Sequence, residues 1–217
     1  MKRQNKIYDI EKLQIDRKFV EERFKYEEGA FEHCISLPSI DDLKEPYKSH
    51  HNNIPLRGVL DYTSGFKEIF DSFETEITSF RLLKRKSHSF YGLHNDKDMG
   101  EDIKRFQIPI VTNSDCWLNV THYNEISEGW NFISPNPMFI PKIFFSTEEN
   151  SYTMEDFDRR FKGRYDSYQL EPGTMYHFDV TKIHTLFNEG NTDRITLLID
   201  AKVNDWLLKF IEGFEDF

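Results

Sequence analysis

Residues 168–200 read YQLEPGTMYHFDVTKIHTLFNEGNTDRITLLID. Runs rich in aromatic and β-branched residues, at 168–180, 184–188 and 194–200, are split by turn chemistry. Glu171-Pro172-Gly173 marks a tight turn before Tyr176, and Asn188-Glu189-Gly190-Asn191 marks another before Arg194. On an extended 194–197 segment, Arg194 and Thr196 share one face while Ile195 and Leu197 take the other. An arginine on an inward face needs an anion, because an unpaired buried charge is very costly. Its partner is either one of the 38 acidic residues of the chain or a bound acid.

Moving outward, 105–112 (RFQIPIVT) alternates as well: Phe106, Ile108 and Ile110 on one side, Arg105 and Gln107 on the other. Residues 116–121 (CWLNVT) form a further short strand, and 77–93 mix β-formers with charge. Within that stretch the basic run 81–86 (RLLKRK) reads as the solvated edge of a sheet, where lysines block aggregation, or as a phosphate-binding patch. Helical spacing occurs at 9–28, with Phe19, Val20 and Phe24 among charges and Gly29 as a stop, and at 203–214, with Trp206, Phe210 and Ile211 on one face. Residues 30–53 read as irregular. Many short strands with flanking helices predict a mainly β fold, a cupin-like double-sheet jelly roll that can hold a small ligand.

The expected organisation is one domain over 1–217: a helical and irregular flank at 1–53, a core at 54–200, and a C-terminal helix at 201–217. Residues 122–165, with Gly129, Pro135, Pro137, Pro141 and several aromatics, read as an insertion with a short helix near 154–161. That insertion is either a lid, with Trp130, Phe132 and Tyr152 as its cover, or a surface excursion. Twenty phenylalanines supply core volume despite the polar composition. A formal charge of -10 argues against nucleic-acid partners. Two isolated cysteines, Cys34 and Cys116, make no disulfide framework and fit a reducing cytoplasm. No signal-like or membrane-length apolar run is visible.

The chemistry concentrates in Gly92-Leu93-His94-Asn95-Asp96. Side chains two apart on an extended chain converge on one side, so His94 and Asp96 can share an ion, with His184 from a later strand as third ligand. Two histidines and one carboxylate on one octahedral face are the ligand set of non-haem Fe(II) oxygenases. Arg194, ten residues after His184, would then face a dicarboxylate, its planar fork matching a carboxylate bidentately and Thr196 adding a hydroxyl.

Residues 77–113 (ITSFRLLKRKSHSFYGLHNDKDMGEDIKRFQIPIVTN) and 168–200 together resemble the core of the aspartyl/asparaginyl β-hydroxylase-like 2-oxoglutarate oxygenases. The resemblance implies a double-stranded β-helix and iron held by His94, Asp96 and His184. It implies that Arg194 grips the distal carboxylate of 2-oxoglutarate and that Arg105 contacts the other carboxylate. Gln107 departs from the histidine that family members often carry at its position. Asp96 argues for hydroxylation, since related halogenases have a small residue there. The implied reaction hydroxylates an unactivated C–H bond of an amino acid, free or peptidyl, consuming dioxygen and releasing succinate and CO2.

Other readings compete. His177-Phe178-Asp179 is a second His-x-Asp, close to His184. A non-catalytic cupin-like metal-binding or sensing protein would need no dicarboxylate clamp. A zinc hydrolase would leave Arg194 unexplained and lacks an evident general-base carboxylate. His33, His50, His51, His88 and His122 read as surface or packing residues.

Overall fold

The computed structural model describes residues 1–24, 26–28, 33–37, 59–96, 100–122, 153–161 and 163–217, with the backbone alone at 27, 28, 33–37, 92, 93, 156 and 160. Its strands are β1 (Lys2–Ile7), β2 (Glu27–Glu28), β3 (His33–Leu37), β4 (Ile77–Arg85), β5 (Ser89–His94), β6 (Ile103–Val111), β7 (Cys116–Thr121), β8 (Tyr165–Tyr168), β9 (Thr174–His177), β10 (His184–Asn188), β11 (Arg194–Lys202) and β12 (Glu215–Asp216). Its helices are α1 (Ile10–Arg23), α2 (Ser64–Asp71), α3 (Met154–Phe161) and α4 (Asp205–Glu212).

Antiparallel pairing builds a larger sheet in the order β12-β1-β9-β6-β11-β4-β3-β2 and a smaller one in the order β5-β10-β7-β8. From β4 to β7 the chain alternates between the sheets strand by strand, and it does so again from β8 to β11. This is the jelly roll predicted from the strand pattern, with the two sheets enclosing an interior. No described helix is long and apolar enough to cross a membrane.

The larger sheet is two-faced, and its alternation shows why. Phe80 and Leu82 of β4, Phe106, Ile108 and Ile110 of β6, and Ile195, Leu197 and Ile199 of β11 pack in one core cluster with Leu13 and Val20 of α1, Phe66 and Ile69 of α2 and Leu207 of α4. The opposite face of the same strands carries Arg81, Leu83, Arg85, Arg105, Gln107, Arg194 and Leu198, which line a cavity between the sheets. A second cluster seats Phe157 and Phe161 of α3 on Phe187 of β10. Trp206, Phe210 and Ile211 pack against the main core as their helical spacing predicts.

Three local expectations change. The first helix stops at Arg23, with Phe24 extended, and Glu27–Glu28 pairs with β3. Strand pairing satisfies the Glu27–Glu28 backbone, while Phe24 and Tyr26 pack against the main core. Residues 33–37, read as irregular, form β3 against β4. The basic run therefore belongs to an internal strand, since β4 lies between β11 and β3. Most of the 122–165 insertion lies outside the described residues, and so do its lid residues Trp130, Phe132 and Tyr152.

The helical layer is fastened by a buried carboxylate. Thr63, at the head of α2, makes no side-chain cap. Asp16 of α1 takes its place, accepting from Gly65 N at 2.6 Å and Phe66 N at 2.8 Å. A charged acceptor there satisfies two orphan amides and suits the positive end of the helix dipole. Gly65 is needed because a Cβ would stand 2.8 Å from Asp16 Oδ2. Asp16→Ala strands two buried N–H groups, and we expect a loss of about 2–3 kcal/mol in urea unfolding. Asp16→Asn, which keeps an acceptor, should lose less; equal losses would show that the cap is not the cause.

Candidate metal centre and diacid cavity

His94 ends β5, Asp96 follows it, and His184 opens β10 directly opposite His94 in register. Between Leu186↔Tyr91 and His184↔His94, three steps of β5 face two of β10, so a bulge falls at Gly92-Leu93. Bulges bend a strand and re-aim its side chains, and this one stands immediately before the first candidate ligand. Asp96 is tied down by its own backbone N–H, which donates to Val180 O at 2.9 Å.

One ligand atom from each of His94, Asp96 and His184 lies within 4.8 Å of the others. His94 Nε2 is 4.0 Å from Asp96 Oδ1, His184 Nε2 is 3.8 Å from Asp96 Oδ2, and the imidazole centroids are 4.1 Å apart. The His184 ring is oriented from behind. Its Nδ1 lies 2.9 Å from the Lys182 carbonyl, which can only accept, so Nδ1 carries the proton and the Nε2 lone pair faces the other ligands. Tyr91 packs edge-on to His94 and Phe178 edge-on to His184. Burial, reinforced by the nearby Arg105 charge, lowers the His184 pKa to about 4. Its imidazole is therefore neutral at physiological pH, the form that binds a metal.

Arg105 holds the carboxylate. Its Nε and Nη2 donate to Asp200 at 2.7 and 3.0 Å, and its Nη1 donates to Asp96 Oδ2 at 2.5 Å. β6 and β11 pair Arg105 with Asp200 directly, so sheet register sets this contact.

The same cavity, about 240 Å³, runs from His94, Asp96 and His184 to Arg194. Arg194 is 4% exposed, and its Nη2 donates to Gln107 Oε1 at 3.3 Å. Among the described residues no carboxylate pairs with it. Gln107 Nε2 and Thr196 Oγ1 are buried without a hydrogen-bond partner among the described residues. Such atoms are rare in native proteins and commonly mark the place of a ligand, ion or water. A guanidinium, an amide and a hydroxyl, each with spare hydrogen-bonding capacity, are what a carboxylate satisfies. The donor set therefore fits a diacid whose other end reaches the metal ligands.

The competing His-x-Asp does not assemble. His177 packs its ring on Phe106 and its Nδ1 on Arg105 O, on the helical side of the sheet. Asp179 Oδ1 accepts from the backbone and hydroxyl of Thr181. His88 sits beside Asn191 and His122 beside Asp166, both away from the cavity. Sequence reasoning missed Arg81, Arg85 and Asp200 as cavity or supporting residues. The signal was present: with Phe80 and Leu82 facing the core, Arg81 and Arg85 must face the other way. Reading 81–86 as an edge hid it.

No protein-family model and no curated protein matches the chain. Among solved structures, HygX from Streptomyces hygroscopicus, determined with nickel and 2-oxoglutarate bound, is similar at a TM-score of 0.52 and 11% identity, over 91% of this chain and 80% of that one. A 2OG-Fe(II) oxygenase family oxidoreductase from Burkholderia pseudomallei aligns at a TM-score of 0.48 and 15% identity, over 89% and 79%. At these identities the likeness to HygX establishes a shared fold.

The depressed pKa of His184 carries a sign that can be tested on metal-free protein. The unfolded chain binds a proton near the ordinary value of 6.5, while the folded chain resists it down to about 4. Unfolding is therefore favoured as pH falls through that window, by about 2–3 kcal/mol at pH 4.5 relative to pH 7.5. In urea unfolding with chelator present, His184→Gln should lose less stability than the parent between these two pH values. Identical losses would show that His184 is not buried as described.

Proposed function

We propose that this protein is an Fe(II)- and 2-oxoglutarate-dependent oxygenase that hydroxylates an unactivated C–H bond. One observation carries the reading. A His94–Asp96–His184 cluster and a buried Arg194 with Gln107 border the same cavity, and Gln107 Nε2 and the Oγ1 of Thr196, on the same strand as Arg194, lack a hydrogen-bond partner among the described residues. Either feature alone is compatible with several chemistries. Together they fit a metal that shares its site with a diacid.

His94, Asp96 and His184 would hold the metal on one face and leave the remaining positions open. Arg194, Gln107 and Thr196 would take the distal carboxylate of 2-oxoglutarate. When bound, iron and 2-oxoglutarate supply the oxidising power: one atom of dioxygen enters the substrate C–H bond, and the other goes into succinate as CO2 leaves. The side chains of this protein supply orientation. Lys182 O fixes the His184 tautomer, and Arg105, braced by Asp200, fixes the Asp96 carboxylate. The family resemblance gave Arg105 to a cofactor carboxylate; with its guanidinium already on Asp96 and Asp200, we take orientation of Asp96 as its first role. Tyr91, Leu118, Phe178, Leu186 and Leu198 give the cavity apolar walls that limit water around the reacting atoms. The substrate we favour is an amino acid, free or peptidyl, and retention of Asp96 favours hydroxylation over halogenation.

A non-catalytic metal-binding cupin would use the same three ligands and have no need of Arg194, Gln107 and Thr196. Anaerobic titration with Fe(II) and then 2-oxoglutarate separates the two readings. The oxygenase should develop a weak visible charge-transfer band only with both present. Arg194→Met removes a charged hydrogen-bond partner worth about 2–3 kcal/mol, so 2-oxoglutarate should bind roughly 30- to 150-fold more weakly while metal affinity is kept. A folded, Fe(II)-binding protein that gives no band with 2-oxoglutarate would exclude the oxygenase.

A further inference from the structure

We propose that Arg81 receives a carboxylate of the substrate at the metal end of the cavity, so that the substrate is a carboxylic acid. The proposal rests on the oxygenase reading and names the substrate class of that site.

Arg81 lies on the cavity-facing row of β4 with Leu83 and Arg85. Its cross-strand neighbour is Leu198, one inward position along β11 from Asp200. Asp200 is the only described carboxylate within ion-pairing distance of Arg81, at 3.8 Å from Nη2, too far for a hydrogen bond. Both Asp200 oxygens are already engaged by Arg105, at 2.7 and 3.0 Å. Arg81 Nε is buried with no hydrogen-bond partner among the described residues. Its side chain keeps 15% of its surface exposed, so it is reachable as well as desolvated.

The guanidinium fork therefore has room for an oxyanion of its own, and a carboxylate offers the matching geometry. It is also separate from the Arg194 subsite. Arg194 stands at the level of Arg85, four residues along β4 from Arg81, which is about 13 Å of strand. Asp200 links Arg81 to the metal end, because Arg105 bridges Asp200 to Asp96. A carboxylate on Arg81 would thus sit toward the metal ligands within the cavity they share rather than at the Arg194 subsite, where it can orient the substrate relative to the metal. Within the amino-acid reading this favours a free amino acid or an acidic side chain over an internal neutral residue.

The same chemistry could belong to the metal-proximal carboxylate of 2-oxoglutarate, and the experiment separates the two. Thermal unfolding of full-length protein is followed with Ni(II) and saturating 2-oxoglutarate, then with acetate, butyrate or benzoate added, or the corresponding amides. The parent should be stabilised by Ni(II) with 2-oxoglutarate and stabilised again by at least one carboxylate, but by none of the amides. Arg81→Met should keep the first shift and bind that carboxylate at least tenfold more weakly. Arg81→Lys should retain part of it, and Arg81→Gln serves if the methionine variant does not fold.

The proposal is overturned if no carboxylate stabilises the loaded parent, or if its shift persists in Arg81→Met. It is also overturned if Arg81→Met loses the 2-oxoglutarate shift, since Arg81 would then serve the cofactor. Loss of the 2-oxoglutarate shift in the parent itself is a different result, and it removes the oxygenase reading.

Discussion

A guanidinium sealed inside a β sandwich without a carboxylate is expensive, and among the described residues Arg194 is in that position. Desolvating an arginine costs several kcal/mol unless hydrogen bonds and an opposite charge replace the lost water. Burial pulls its pKa below the ordinary value, and its hydrogen bond is a long one to a neutral amide. On the same inner face, Gln107 Nε2 and Thr196 Oγ1 are also buried without a hydrogen-bond partner among the described residues. The fold carries this arrangement because the rest of the sheet is strongly apolar on its other side. Ile195, Leu197 and Ile199 anchor β11 in the helical core whatever faces inward.

The two-sheet architecture brings this charge and the histidines together. The larger sheet holds the arginines, and the smaller one brings His94 and His184 to directly paired positions. Between the two, Asp200, Arg105 and Asp96 form a relay of charge-assisted hydrogen bonds across the cavity wall. Each member is paired through sheet register or held by a backbone contact, so the carboxylate ligand is positioned before any metal arrives. Such preorganisation is what binding and catalytic sites require of a scaffold. The helical layer contributes stiffness from outside, through the phenylalanine-rich core and the buried cap that Asp16 provides to α2.

Much of this was legible residue by residue. Alternation in 105–112 and 194–197 assigned Phe106, Ile108, Ile195 and Leu197 to one face and Arg105, Gln107, Arg194 and Thr196 to the other, and the structure has them so. His94 and Asp96 were legible as a pair because a short extended segment fixes where its side chains go. Asp200 was not legible as the brace of Arg105, since that contact depends on which strands become neighbours. The basic run 81–86 was misread for the same reason, because only neighbouring strands distinguish an edge from an interior strand. Asp16 looked like any other helical acid, and its burial depends on where α2 docks.

The sequence by itself determined what local geometry controls: which side chains share a strand face, where turns interrupt, and which residue types could bind a metal or a diacid. Those properties follow from backbone periodicity and side-chain chemistry, which act over a few residues. Tertiary structure alone decided the long-range choices. It set His184 beside His94, gave Asp200 to Arg105, closed Arg194 away from water, and left Arg81 facing the cavity with an Nε that has no hydrogen-bond partner among the described residues. These depend on strand order and register, which the whole chain settles together by burying its apolar faces at once.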